Sequence, residues 1–342
     1  MLHLHTLWFI ILAILWVGFF VLEGFDFGVG ILHTIVGKTD TERRVAINTI
    51  GPWWDGNEVW LIVAGAAMFA AFPPWYATWF SALYLALWLL LAALIVRGVS
   101  FEFRGKFDSA AWRSTWSWTL TIGSVLAPLL IGVGLGDLLV GLPIDANGNF
   151  TGTFLDLLTP YGLWVGITLL ALCLWHGATF LTIRSTGVVL QRAVSLKERL
   201  SLPAALLVII FAVWTYLMVR PGAGGTVALI IPVLAVLAAV ALARSAGGTG
   251  RAFAATAVAI GGTIAAIFSN LYPAVMISTT EDAYTLTVEN STASSYSLTV
   301  MTVVAAVMVP LVLAYQGWTY YVFRARVKGP AAPPAVEQTP AG

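Results

Sequence analysis

Four carboxylates stand in stretches too apolar to hold them comfortably. Glu23 and Asp26 interrupt the first apolar run, within Glu23-Gly24-Phe25-Asp26-Phe27-Gly28-Val29-Gly30. Asp55 and Glu58 open a second one, within Gly51-Pro52-Trp53-Trp54-Asp55-Gly56-Asn57-Glu58-Val59-Trp60. Each pair is spaced i,i+3, which sets both side chains on one face of a helix. A carboxylate in lipid is expensive unless it is protonated, paired or hydrated. Two so close disfavour double ionisation, and such a pair can hold and pass a proton. Asp55 at the mouth and Asp26 deeper would make an entry route for protons, with Glu23 and Glu58 assisting and Asn57 adding an uncharged hydrogen-bonding group. The plainer alternative is packing. Glu23 and Asp26 would bind polar groups of a neighbouring helix, Asp55 would be a first-turn acid favoured by the helix dipole, and the tryptophans an interfacial belt. Gly24, Gly28 and Gly30 permit close backbone approach between helices.

The elements that must position these acids are membrane helices. Of 342 residues, 59% are hydrophobic and 10% charged, with a mean hydropathy of +0.90; a soluble domain carries roughly 25% charged residues. A membrane helix needs about 20 apolar residues. Nine segments qualify: 7–35, 53–72, 75–96, 116–136, 161–183, 201–219, 226–243, 252–271 and 298–323. The runs are continuously apolar, which excludes a β-barrel with its alternating strands. The expected fold is therefore an all-α polytopic membrane protein of nine helices, one domain over residues 1–328. A Pro- and Ala-rich stretch, Gly329–Gly342, is expected to be a disordered cytoplasmic tail.

Basic residues set the orientation. With the N-terminus outside, 16 of the 17 Lys and Arg residues fall inside, Arg97, Arg104, Lys106 and Arg113 together in one inner loop. Only Arg220 is outside, and the two long outer loops are acidic. No basic residue precedes Lys38, so the first apolar run reads as a retained helix rather than a signal peptide. No basic stripe suits nucleic acid, and the single cysteine, Cys173, allows no disulfide or thiolate metal site within the chain.

Haem ligation would need His, Met or Cys. His3 and His5 belong to the outer terminus, His33 reads as a snorkelling surface histidine, and His176 is the one intramembrane candidate, although a hydrogen-bonded packing role suits it better. No metal site is expected.

The chain resembles subunit II of cytochrome bd quinol oxidases. The resemblance rests on the Glu23–Gly30 run, on Asp40-Thr41-Glu42-Arg43-Arg44, and on Asn48 through Leu61 with its Trp-Asp-Gly-Asn segment. It continues in Phe101-Glu102-Phe103-Arg104-Gly105-Lys106, Pro128–Gly134, Tyr272-Pro273 and Thr292-Ala293-Ser294-Ser295. It implies two four-helix bundles plus one peripheral helix in a bacterial plasma membrane. It also implies a partner, subunit I, that carries haems b558, b595 and d and the quinol-oxidising loop. This chain would then bind no haem firmly, with a structural quinone, lipids and a small accessory subunit left open. The complex would oxidise menaquinol or ubiquinol and reduce O2 to water with protons drawn from the cytoplasm. By the same resemblance Asp55 matches a position in a hydrophilic proton path, and Asp26 one that continues or flanks it. Glu58 occupies a position that can hold Gln, and His176 one that can hold a non-ligating residue. Two other readings of the intramembrane acids stand beside this one: a proton-coupled secondary transporter and a purely structural scaffold.

Overall fold

Apolar runs longer than twenty residues satisfy their backbone only as helices when water is excluded, and the chain follows that rule. The computed structural model describes residues 3–245 and 249–328. The tail expected at residues 329–342 lies outside the described residues.

The helices are α1 (Leu4–Val36), α2 (Asp40–Asn48), α3 (Trp54–Ala71), α4 (Pro73–Ala82), α5 (Tyr84–Phe103), α6 (Ala110–Val140), α7 (Pro160–Arg184), α8 (Gly187–Val219), α9 (Ala223–Arg244), α10 (Thr249–Leu271) and α11 (Ser295–Val322). Their starts carry local signals. Thr39 and Glu42 form a reciprocal capping box on α2. Thr159 caps α7 ahead of Pro160 at its first position, and Ser294 caps α11.

Eight of these helices are long and apolar enough to cross a membrane. α2 and α4 are too short, and α3 falls below in apolarity because Asp55, Asn57 and Glu58 occupy its first two turns. The third expected segment, 75–96, is interrupted at Leu83 and divided between α4 and α5.

α1 is the hub, packing against α3, α6, α7 and α10. α5 pairs with α6, while α7, α8, α9 and α10 pack in succession on the other side. The α1–α7 crossing depends on two glycines: a Cβ on Gly28 would lie 2.8 Å from the Gly177 Cα. α11 packs on α1 and α3 and buries only Leu298, which makes it peripheral.

At the end expected to lie outside, the loops carry a two-stranded antiparallel sheet, β1 (Ala274–Met276) with β2 (Leu286–Thr287). A bridge between Leu142 and Ser278 ties the two long loops together. Gly148 adopts φ 77°, as the Asn147-Gly148 turn requires.

Two placements differ from expectation. Arg97 is not a loop residue: it lies within α5, fully buried. The run of α5 continues past it to Phe103 because buried acids on neighbouring helices receive its charge. His33 is not a surface histidine either. It is fully buried, and its Nδ1 lies 2.7 Å from the Gly30 carbonyl.

Candidate functional site

The four acids and Asn57 converge where α1, α3, α5, α6 and α11 meet. Glu23 and Asp26 are fully buried on α1. Arg97 reaches them from α5, with its Nη2 2.6 Å from Glu23 Oε1. Nη1 donates to Glu58 Oε2 at 2.9 Å, and Nε donates to Ser124 Oγ on α6 at 3.2 Å. The planar fork of arginine suits this use, since it offers several donors in fixed directions. The guanidinium also lies against two rings, Phe27 at 4.7 Å and Phe101 at 5.4 Å from the ring centres. Trp54 stacks on Phe101 at 4.6 Å and closes that side.

Asp26 is held differently. Asn57 Nδ2 donates to Asp26 Oδ2 at 2.7 Å and to the Leu22 carbonyl at 3.2 Å. Asn57 Oδ1 accepts from the Tyr320 hydroxyl at 2.8 Å and from Gln316 Nε2 at 3.3 Å, both on α11. Asn57 is itself fully buried.

Exposure is graded across the set. Asp55 is exposed at the start of α3. The Glu58 side chain, one turn on, is 21% exposed, and Glu23 is 0% exposed. Three carboxylates thus face one cation, so the cluster is short of positive charge by its own composition.

Of the residues singled out in the sequence, the structure brings Glu23, Asp26, Asn57 and Glu58 together, and it leaves Asp55 exposed one turn before Glu58. Sequence reasoning missed Arg97, Ser124, Gln316 and Tyr320. Arg97 directly follows the apolar run 85–96, which disguised it as a loop residue. Gln316 was visible as a lone amide between apolar residues of the last segment, a signal that could have been used.

Other buried polar groups stand apart. His176 is sandwiched between Thr256 Oγ1, 2.7 Å from Nδ1, and the Val21 carbonyl, 3.2 Å from Nε2, and it stacks on Phe253. Both of its ring nitrogens are engaged and its ring is fully buried, so it does not fit an axial ligand to haem. Among the described residues, no group of three His, Cys, Asp or Glu side chains could hold a metal ion. Asp137 is buried near the opposite end of α6, its Oδ1 accepting from Thr159 Oγ1 at 2.6 Å. On the short helix α2, burial pushes Glu42 up, but Arg192 at 2.6 Å and the amides of Lys38 and Thr39 outweigh it and hold the carboxyl below its ordinary value.

Comparison with known proteins bears on this arrangement. A family profile described as cytochrome bd terminal oxidase subunit II matches residues 4–323. The chain is 42% identical over 332 residues to the cytochrome bd ubiquinol oxidase subunit 2 of Bacillus subtilis, covering 96% of this chain and 98% of that one. It is 34% identical over 365 residues to the cytochrome bd-I ubiquinol oxidase subunit 2 of Escherichia coli, covering 95% of each. A chain of the solved bd oxidase from Geobacillus thermodenitrificans superposes with a TM-score of 0.74 at 16% identity, covering 93% of this chain and 98% of that chain, a likeness of fold.

Proposed function

Because the chain belongs to the family of cytochrome bd terminal oxidase subunit II, we propose that its buried acids form part of the route by which protons reach the oxygen-reducing centre from the cytoplasm. The chain is one subunit of a quinol oxidase complex, an oxidoreductase of a bacterial membrane, and its partner is subunit I. The finer assignments are part of the reading: quinol and O2 as substrates, haems b558, b595 and d in the partner, and one nine-helix membrane domain with its N-terminus outside. When bound, those haems supply the oxygen chemistry; this chain supplies proton-carrying groups and a scaffold.

The observation that carries the reading is the graded exposure of one connected cluster. Asp55 is exposed, Glu58 is partly open, and Glu23 and Asp26 are sealed. Arg97 couples Glu58 to Glu23 directly. A set built only for packing has no need of an open end. A proton taken up at Asp55 has Glu58 one turn further along the same face. The shared guanidinium compensates part of the charge of the carboxylates it pairs with.

The test is Asp55→Asn in the assembled complex. It is expected to lower oxygen consumption and proton uptake together, at unchanged haem content. Full activity and full uptake in that variant would overturn the relay, and full activity with all four acids neutralised would leave a scaffold.

A further inference from the structure

The Asn57 amide makes all four hydrogen bonds that its two donors and two lone pairs allow. Its orientation is fixed from both sides. The Leu22 carbonyl can only accept, so Nδ2 must face it and Asp26. On the other side, Trp60 Nε1 can only donate, and it donates to Gln316 Oε1 at 3.1 Å. Gln316 must then present its Nε2 to Asn57 Oδ1, and the Tyr320 hydroxyl must donate to the same oxygen. The chain of polarity therefore runs one way, from Trp60 through Gln316 and Asn57 to Asp26.

We propose that Gln316 and Tyr320 are positioning residues that lock Asn57, so that Asp26 Oδ2 is permanently a hydrogen-bond acceptor and the proton Asp26 carries resides on Oδ1. Oδ1 is buried and no N–H or hydroxyl donor among the described residues reaches it, while the Glu23 carboxyl lies within hydrogen-bonding reach of Asp26, so Oδ1 is the oxygen available for a proton beside a second carboxyl. The arrangement also gives α11 a purpose. That helix buries only one apolar residue, Leu298, yet it turns two polar side chains inward and stacks Tyr320 on Trp53 at 4.8 Å. A peripheral helix with almost no core contact is thereby tied to the interior of the acid cluster. The inference rests on the proton-path reading of Asp26.

The experiment uses the assembled oxidase and three variants: Asp26→Asn, Tyr320→Phe and Gln316→Leu. The readouts are haem content, proton uptake, and the infrared carbonyl band of the protonated Asp26 carboxyl, identified by its loss in Asp26→Asn. Removing one neutral hydrogen bond to the amide is worth about a fivefold change in equilibrium. Tyr320→Phe is expected to keep haem content, slow proton uptake about fivefold, and broaden the band, because the proton is no longer confined to one oxygen. Gln316→Leu is expected to act in the same direction, and it decides the matter if Tyr320→Phe fails to assemble. An unchanged band and rate in both variants, with uptake abolished in Asp26→Asn, would overturn the positioning role and leave the path standing. Full uptake in Asp26→Asn would instead remove the path itself, and this inference with it.

Discussion

Among the described residues, the membrane helices bury carboxylates in two places and treat them in opposite ways. At one end, Glu23, Asp26 and Glu58 share a guanidinium, an amide and an exposed neighbour in Asp55. At the other, Asp137 has a single side-chain donor, the Thr159 hydroxyl, and its Oδ2 has no partner among the described residues. Thr159 is also the cap of α7, so the Asp137 carboxylate sits at a helix N-terminus, where the backbone dipole favours negative charge. Glycine at position 162 lets it approach, since a side chain there would collide with the carboxylate. Asp137 therefore fastens α6 to α7. Its donor Thr159 is itself half-buried beside the exposed Pro160, but among the described residues no cation forms an ion pair with Asp137. Burial alone does not mark an acid as a carrier; what separates the two regions is a shared cation and a chain of polar neighbours.

The contrast breaks most readily at Arg97. Replacing Arg97 with Met leaves Glu23 and Glu58 without their cation, and stranding a buried charge costs about 3–5 kcal/mol. The expected result is a large fall in the thermal midpoint of the complex, or loss of assembly. Adding Glu23→Gln to Arg97→Met should recover part of that loss. If Arg97→Met alone were as stable as the parent, the guanidinium would not be what makes the acids tolerable.

A smaller effect is expected at Asp137. Asn keeps an oxygen for Thr159 and replaces a buried carboxyl with a neutral amide, so Asp137→Asn should change stability by no more than about 1 kcal/mol and leave oxygen consumption intact. A loss of turnover comparable to that of Asp55→Asn would erase the distinction between the two regions.

The smallest effect lies outside the membrane helices, at Glu42. Its carboxyl is held low by Arg192 and two amides against the opposing pull of burial. The folded state therefore binds that proton less readily than the unfolded chain. The contribution is present above the ordinary value of 4.5 and is lost as pH falls through the lowered folded value. A thermal-midpoint titration below about pH 4.5 should show a downward step in the parent. Glu42→Gln should remove the step and lower stability near neutrality by about 0.5 kcal/mol. A surface cap that behaves this way, beside a core ion pair worth several times more, would scale the first effect.

Much of this was legible beforehand. The helical segments follow from apolar runs that match the thickness of a membrane. Acidic residues inside those runs pointed to the site, because such placement is costly wherever the neighbours are. The break at Leu83 carried no proline or glycine to announce it. His33 and Arg97 looked like surface groups because they sit near the ends of apolar runs, where snorkelling is the usual outcome.

By itself, then, the sequence determined the class of the fold, the helical segments and four of the acids involved, since periodicity, length and the cost of charge in lipid are properties of a single segment. Only the tertiary structure decided which groups meet. Arg97 lies 74 residues from Glu23 and 39 from Glu58, and Gln316 and Tyr320 lie about 260 residues from Asn57. Hydrogen bonds act over about 3 Å, so whether a carboxylate is stranded, paired or poised depends on neighbours that chain order does not specify. The packing of α5 and α11 against α1 and α3 turned four isolated acids into one cluster with an open end, and left Asp137 as a fastening.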